Sequence, residues 1–164
     1  MFARVLSTVA SEPHSWPDRL SNASHCILYI LKGINMKVLI ADDDKDLCQL
    51  LGAVLRSQGH EVFFAFDAAQ ALTLAKNQSP DIIALDINMP GGTGMGALQK
   101  IKMNMKTSMI PVLVISANPY EQNNATMLQM GAAEYMQKPL DSEKFCEALY
   151  RLTGLPAAGA AAQG

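Results

Sequence analysis

The chain has 164 residues, of which 49% are apolar and 6% are aromatic, so it is long enough for one ordinary domain with a sizeable core. Its formal net charge is −2 and it contains no block of Lys or Arg, which argues against nucleic acid as a direct partner. No apolar run approaches the ~20 residues that cross a membrane. The three cysteines lack CxxC spacing, which favours buried thiols in a reducing compartment over disulfides or zinc. We therefore expect a cytoplasmic protein without a membrane partner.

The two ends of the chain differ from its middle. Residues 1–35 mix Ser, Pro, Asn and His without a sustained hydrophobic period, and Met36 then opens directly onto an apolar run. We expect a disordered or artefactual N-terminal extension, with Met36 as the natural start. A regulatory extension that docks through "ILYIL" at 27–31 is the alternative. The tail, 153–164, is rich in small residues and is expected to be disordered. The folded domain would then span 36–152.

Within that domain, apolar runs alternate with segments of helical period. The predicted strands are 37–41, 61–65, 81–85, 111–115 and 134–137. The predicted helices are 45–58, 68–77, 95–105, 120–130 and 142–152. This alternation indicates βαβ units, so we predict an α/β fold with a doubly wound, five-stranded parallel sheet and five helices. The first, third and fourth strands are continuously hydrophobic, which is typical of central strands buried on both faces.

Polar side chains follow the carboxyl ends of these strands, where ligands bind in open α/β sheets. They are Asp42, Asp43 and Asp44 after the first strand, Asp86 after the third, Ser116 after the fourth and Lys138 after the fifth. Because the carboxyl ends of parallel strands share one edge of the sheet, all these groups are expected to converge there.

Adjacent aspartates after a buried strand need compensation for their charge. Asp44 is placed to cap the first helix, but Asp42 and Asp43 cannot both cap it as well. With Asp86 nearby, these acids would raise one another's pKa or hold a divalent cation. Oxygen ligands without His or Cys favour Mg²⁺ over Zn²⁺. A flavin mononucleotide site would need a Gly-, Ser- or Thr-rich loop after the first strand, whereas this loop is acidic.

Four motifs in order carry a resemblance to a known family. They are "LIADDD", "ALDINMP", "VISAN" and "YMQKPL". Segment 36–152 resembles the receiver domain of the response regulators of bacterial two-component systems. The resemblance implies a flavodoxin-like sheet with strand order 2-1-3-4-5.

The resemblance also implies roles for the acidic residues. Asp86 matches the phosphoacceptor of the family. Asp42 and Asp43 match the acidic pair that holds Mg²⁺, with Asp86 and the backbone carbonyl of Asn88 completing the protein ligands.

Three further residues match the family's catalytic and switch positions. Lys138 matches the ammonium that neutralises the phosphoryl group, and Ser116 matches the hydroxyl that bonds it. Tyr135 matches the aromatic switch residue, which fills the space that Ser116 vacates. The peptide bond between Lys138 and Pro139 is cis in the family.

The function that the resemblance implies is signalling rather than enzymatic turnover of an external substrate. A stand-alone response regulator would receive its phosphoryl group from a sensor histidine kinase or a histidine phosphotransfer protein. It would act on a downstream protein through the face formed by the fourth helix, fifth strand and fifth helix. The alternative is an unphosphorylated pseudo-receiver that serves as a binding module. A haloacid-dehalogenase-type phosphatase would need a second Asp where Asn88 stands.

Overall fold

The computed structural model describes residues 35–89, 94–117 and 124–154, which contain a five-stranded sheet. The strands are β1 (Lys37–Ala41), β2 (Glu61–Ala65), β3 (Ile82–Asp86), β4 (Val112–Ser116) and β5 (Glu134–Gln137). The helices are α1 (Lys45–Ser57), α2 (Ala68–Gln78), α3 (Gly94–Met103), α4 (Asn124–Gln129) and α5 (Ser142–Thr153). All neighbouring strands pair in parallel, in the order 2-1-3-4-5, so the predicted fold class is confirmed.

Two strands are shifted by one residue from the prediction. β3 and β4 each begin and end one position later, so Asp86 and Ser116 are the last residues of their strands. Asp81 lies just before β3, and its carboxylate Oδ2 accepts a hydrogen bond from the Lys37 backbone N–H at 2.7 Å. The predicted helix over 120–130 is observed from Asn124, and its first four residues lie outside the described part of the chain.

The third helix is shorter than predicted, ending at Met103 instead of residue 105. Two side chains bond carbonyl groups at the end of this helix and in the turn that follows it. The Thr107 hydroxyl donates to the Ile101 carbonyl at 2.7 Å, and Lys102 Nζ donates to the Ile110 carbonyl at 2.6 Å. The Thr107 bond satisfies one of the carbonyls that a helix end leaves open, and the Lys102 bond holds the following turn against α3.

The fifth helix extends one residue further than predicted, to Thr153, where Gly154 ends it with a φ of +72°. This left-handed conformation suits glycine, which has no Cβ to clash. Residues 155–164 of the predicted tail and 1–34 of the predicted extension lie outside the described residues. Among the helices of the described ranges, none has the length and apolarity needed to span a lipid bilayer.

Alternate residues of the central strands face two separate hydrophobic cores, one on each side of the sheet. Ile40 and Leu113 pack on the side of α1 and α5, where Phe145 is fully buried. Leu39 and Val114 pack on the opposite side, with α2, α3 and α4. This alternation follows from the strand period of two. It also explains why β1, β3 and β4 are apolar at every interior position.

A buried polar chain lies at the amino end of the sheet, opposite the predicted site. The Met36 backbone N–H donates to His60 Nδ1 at 3.3 Å, and His60 Nε2 lies 2.9 Å from the Tyr150 hydroxyl. That hydroxyl donates to Gln58 Oε1 at 2.6 Å. Because Nδ1 is the acceptor, Nε2 carries the proton of a neutral imidazole. Burial lowers the pKa of His60 below its usual 6.5, consistent with this neutral form.

We expect this histidine to make the fold less stable in mild acid. The unfolded chain takes up the proton first, so the free energy of unfolding falls as pH drops below 6.5. The limiting slope for one proton is about 1.4 kcal/mol per pH unit. Urea unfolding followed by circular dichroism between pH 7.5 and 5 measures the slope. His60→Gln should flatten it, whereas Tyr150→Phe should retain it. An equal slope in His60→Gln and the wild type would contradict the assignment.

Candidate functional site

Three carboxylates meet at the carboxyl edge of the sheet. Residues Ala41 and Leu85 are register partners in adjacent strands, which brings the following Asp42 and Asp86 side by side. Both of these aspartates are buried, with 1% and 3% exposure, whereas Asp43 is exposed. Oxygen atoms of the three carboxylates lie within 4.8 Å of one another. The sequence-predicted acidic cluster therefore exists in the fold.

The fourth acid of the region, Asp44, has the structural role predicted for it. Its Oδ1 accepts hydrogen bonds from the backbone N–H groups of Asp46 and Leu47, at 3.1 and 3.0 Å, as the N-cap of α1. Its own N–H donates to Asp42 Oδ1 at 2.9 Å. Asp44 thus caps the helix and orients the first carboxylate of the cluster.

A single lysine compensates the two buried acids. Lys138 follows β5, and its Nζ lies 2.7 Å from Asp42 Oδ2 and 2.7 Å from Asp86 Oδ2. The bond to Asp86 is well directed, whereas the contact with Asp42 is an ion pair without hydrogen-bond geometry. The Lys138 N–H donates to the Ser116 carbonyl at 2.8 Å, and the Lys138–Pro139 peptide bond is cis, as the resemblance implies.

The charges in this cluster shift one another's protonation. Burial raises the pKa of Asp42, and the contact with the Lys138 ammonium and the hydrogen bond from the Asp44 N–H lower it only in part. Burial alone would lower the pKa of Lys138, but its bonds to Asp42 and Asp86 outweigh burial and raise that pKa overall. The lysine therefore stays protonated at neutral pH. Burial also raises the pKa of the neighbouring Cys48 thiol to about 12, which makes this cysteine unreactive.

Two further predicted residues, Ser116 and Asn88, lie at the same edge, and a contact joins them. Asn88 Nδ2 donates to Ser116 Oγ at 3.2 Å, and the Asn88 backbone N–H donates to Asp86 Oδ1 at 2.8 Å. Ser116 is fully buried. The bond between the Asn88 amide and the Ser116 hydroxyl was not predicted from the sequence. The sequence signal for this bond was an amide side chain two positions after Asp86, within reach of the end of the neighbouring strand.

The predicted switch residue, Tyr135, lies one strand further along the sheet. Within β5, Tyr135 is the register partner of Val114 in β4. Its side chain is half-buried against the core on the side of α2, α3 and α4. Tyr135 and Ser116 are therefore on adjacent strands, two register positions apart. Every predicted site residue therefore lies in β1, β3, β4 or β5 or within two residues after one of these strands.

The donor set fits a magnesium ion. Asp42 Oδ2 is a buried carboxylate oxygen that receives no directed hydrogen bond from the described residues, although Lys138 lies beside it. Such an atom has coordination capacity that a cation can use. Asp43 and Asp86 add carboxylate oxygens, the hard ligands that Mg²⁺ prefers. The carbonyl of Asn88 as a further ligand stays a prediction.

Comparison with known proteins agrees with this geometry. The family model described as response regulator receiver domain matches residues 38–150. The protein PilH of Pseudomonas aeruginosa is 33% identical over 107 residues, which cover 65% of this chain and 88% of that protein.

Solved structures give the same result. The receiver domain of the sensor histidine kinase PA1611 of Pseudomonas aeruginosa, with a magnesium ion coordinated in its active-site cleft, superposes with a TM-score of 0.67 at 27% identity. That match covers 73% of this chain and 98% of the other. The chemotaxis response regulator CheY4 of Vibrio cholerae gives a TM-score of 0.67 at 28% identity, over 71% and 98% of the two chains. The chain therefore belongs to the response regulator receiver domain family.

Proposed function

We propose that this receiver domain accepts a phosphoryl group on Asp86. The observation that carries the proposal is the setting of that carboxylate. Lys138 Nζ holds its Oδ2 at 2.7 Å, and the Asn88 N–H holds its Oδ1 at 2.8 Å. Asp86 is thus oriented at a strand end, beside a protonated lysine, where a nucleophilic carboxylate would be needed.

The proposed step is a single phosphoryl transfer. A carboxylate oxygen of Asp86 forms a bond to phosphorus while the bond from phosphorus to the donor breaks. The donor is a phosphohistidine of a sensor histidine kinase or phosphotransfer protein, and its imidazole leaves with the electron pair. The Lys138 ammonium neutralises charge on the transferred oxygens, and the Ser116 hydroxyl can donate to one of them after it leaves Asn88. The product is an aspartyl phosphate, which water later hydrolyses.

Magnesium is the cofactor that we propose for this step. Asp42, Asp43 and Asp86 would hold it, and the Asn88 carbonyl would join them. When bound, Mg²⁺ supplies positive charge that screens the phosphoryl oxygens from the carboxylates. The protein's part is to keep three acids close together, which one lysine alone only partly neutralises.

Variants of the adjacent residues Asp43 and Asp44 should separate metal binding from helix capping. Asp43→Ala removes an exposed carboxylate of the cluster, so we expect Mg²⁺ affinity to fall at least tenfold with little change in stability. Asp44→Ala removes the cap of α1, so we expect about 1 kcal/mol less stability and a much smaller change in affinity. Calorimetric Mg²⁺ titration and urea unfolding measure the two effects. Equal losses of affinity in both variants would contradict the division of roles.

We further propose that the phosphorylated domain signals by protein contact in the cytoplasm. Movement of Ser116 toward the phosphoryl group would leave space that Tyr135, two register positions away on the adjacent strand, can enter. That change would alter the surface of α4, β5 and α5, which a downstream protein reads. The proposed domain spans 36–152 and acts without a nucleic-acid or membrane partner of its own.

Intact-mass measurement after incubation with acetyl phosphate tests the proposal. We expect one phosphoryl adduct that requires Mg²⁺ and is absent from Asp86→Asn. The matched control is Asp81→Asn, at the opposite end of β3, which should form the adduct like the wild type. A wild type that forms no adduct with Mg²⁺ would instead favour a pseudo-receiver that acts as a binding module.

A further inference from the structure

The surface formed by α2, α3 and the turn after α3 has an unusual charge. No Asp or Glu occurs in residues 68–80 or 94–111, although the chain has more acidic than basic residues overall. The same two segments contain lysines at four positions. They are Lys76, Lys100, Lys102 and Lys106. Lys102 is bonded to backbone carbonyls, and the other three are exposed. One side of an otherwise acidic molecule is therefore basic.

A groove lies between α2 and α3 on this surface. Its volume is about 350 Å³, and it is lined by Leu72 and Lys76 of α2, Lys100 and Met103 of α3, and the following Asn104. The apolar side chains lie within the groove lining, together with two lysines, one from each helix. This combination suits an apolar side chain flanked by anionic groups.

Exposed methionines extend the apolar surface beyond the groove. Met103, Met105 and Met109 are 77%, 96% and 89% exposed, and Met95 lies two turns before Met103 on α3 at 36%. Large apolar side chains exposed along one helix and the turn that follows it mark a site of interaction. Methionine is unbranched and polarisable, so it can adapt to the shape of a partner. This set of residues, with the groove, is called the α2–α3 surface below.

We infer that the α2–α3 surface docks an acidic amphipathic helix of a partner protein. Leucine-like side chains of that helix would enter the groove, and its carboxylates would face Lys76 and Lys100. A second copy of this surface is disfavoured as occupant because it would place lysines against lysines.

The groove of this surface is separate from the phosphoacceptor. α3 begins at Gly94, next to the site, and Met103 is nine residues further along, roughly 14 Å at the rise of an α-helix. Docking in the groove would leave Asp86 open. The α2–α3 surface could therefore hold the domain near a partner whether or not Asp86 is phosphorylated, so its test is independent of the proposed function.

Titration of the full chain with a synthetic helix tests this inference. The probe is a fluorescent peptide of about 14 residues, roughly 21 Å as a helix, with Leu at i, i+3, i+4 and i+7 and Glu at flanking positions. The control peptide keeps the leucines and has Lys in place of every Glu. We expect saturable binding of the acidic peptide alone, which weakens with salt. In a ¹⁵N-labelled protein, the shifted amides should be those of α2, α3 and residues 104–110.

Variants of the protein give the second half of the test. The double change Lys76→Glu and Lys100→Glu should weaken peptide binding at least tenfold, and Met103→Ser should weaken it several-fold. Matched changes elsewhere, Lys144→Glu on α5 and Leu50→Ser on α1, should leave it unchanged, since both side chains are exposed outside the groove. All four proteins should retain phosphoryl acceptance and the circular dichroism of the wild type.

Three results would overturn the inference. They are no binding of the acidic peptide at about 1 mM, equal binding of the acidic and basic peptides, and equal affinity in the double variant and the wild type. Phosphatidylglycerol vesicles test the competing hypothesis that this surface binds a membrane. Binding to vesicles that the double variant loses, without binding to the acidic peptide, would assign the surface to a membrane.

Discussion

Replacing Lys138 with methionine should slow formation of the phosphoryl adduct by two orders of magnitude or more. Nζ lies 2.7 Å from an oxygen of Asp42 and of Asp86, so this one cation faces both the nucleophile and its acidic neighbour. A preorganised charge at a developing anion contributes 10²–10³-fold in comparable sites. Methionine retains much of the length of the side chain and removes only the charge. Time-resolved intact mass with acetyl phosphate gives the rate.

The same variant should respond to magnesium more strongly than the wild type does. Without the lysine, the two buried carboxylates lose their shared positive partner, which lowers the stability of the fold. The affinity of the site for a cation should rise, because the two negative charges are no longer compensated. We therefore expect urea unfolding of Lys138→Met to be shifted further by Mg²⁺ than unfolding of the wild type. Lys144→Met, at an exposed position of α5, is the control and should match the wild type in both assays. A wild-type rate in Lys138→Met would remove this lysine from the proposed transfer step.

Adding one methyl group at Gly94 should destabilise the domain by about 3 kcal/mol. A Cβ built there would lie 2.6 Å from the Asp86 carbonyl oxygen and closer still to Ile87 Cα. These are backbone atoms, so no side chain can rotate aside. The Gly94 N–H also donates to the Ile87 carbonyl at 3.0 Å, which fixes the start of α3 against the end of β3. Gly94→Ala must therefore push α3 away from β3 or displace Asp86.

Urea unfolding of two glycine variants separates the clash from a general backbone effect. Gly154→Ala is the control, because a Cβ there has nothing within 4 Å and its φ of +72° accounts for a cost of only about 1 kcal/mol. Gly94→Ala should also form the phosphoryl adduct more slowly, since the displaced strand end carries Asp86. Equal stability of the two variants would show that β3 and α3 are not in close contact at Gly94.

The sequence predicted the α/β architecture because its signals are local and periodic. Apolar runs and helical segments alternate, and Asp44 precedes a helical segment, where its side chain caps α1 as predicted. Boundaries were less accurate where distant groups decide them. At the end of α3, Thr107 donates back to the Ile101 carbonyl and Lys102 donates forward to the Ile110 carbonyl, and no hydrophobic period reveals such bonds.

The residues that meet at the candidate site were predicted from the sequence, whereas the contacts between their side chains were not. Convergence of strand ends brought Asp42, Asp86 and Lys138 together as expected. The bond from Asn88 to Ser116 joins residues 28 positions apart in the site, and the contact between His60 and Tyr150, at the opposite end of the sheet, joins residues 90 positions apart. Such pairs depend on the register of the folded sheet and helices, so their side-chain chemistry alone did not indicate them.

The two cores of the sheet have a consequence for how this domain can diverge. Neighbouring strand residues such as Leu113 and Val114 belong to different cores. A change of side-chain volume at Leu113 therefore affects the packing of α1 and α5, whereas a change at Val114 affects the packing of α2, α3 and α4. Each layer of helices can therefore accumulate substitutions with little repacking of the other. Descendants of one ancestral domain could alter the surface that one class of partner reads while preserving the surface on the far side.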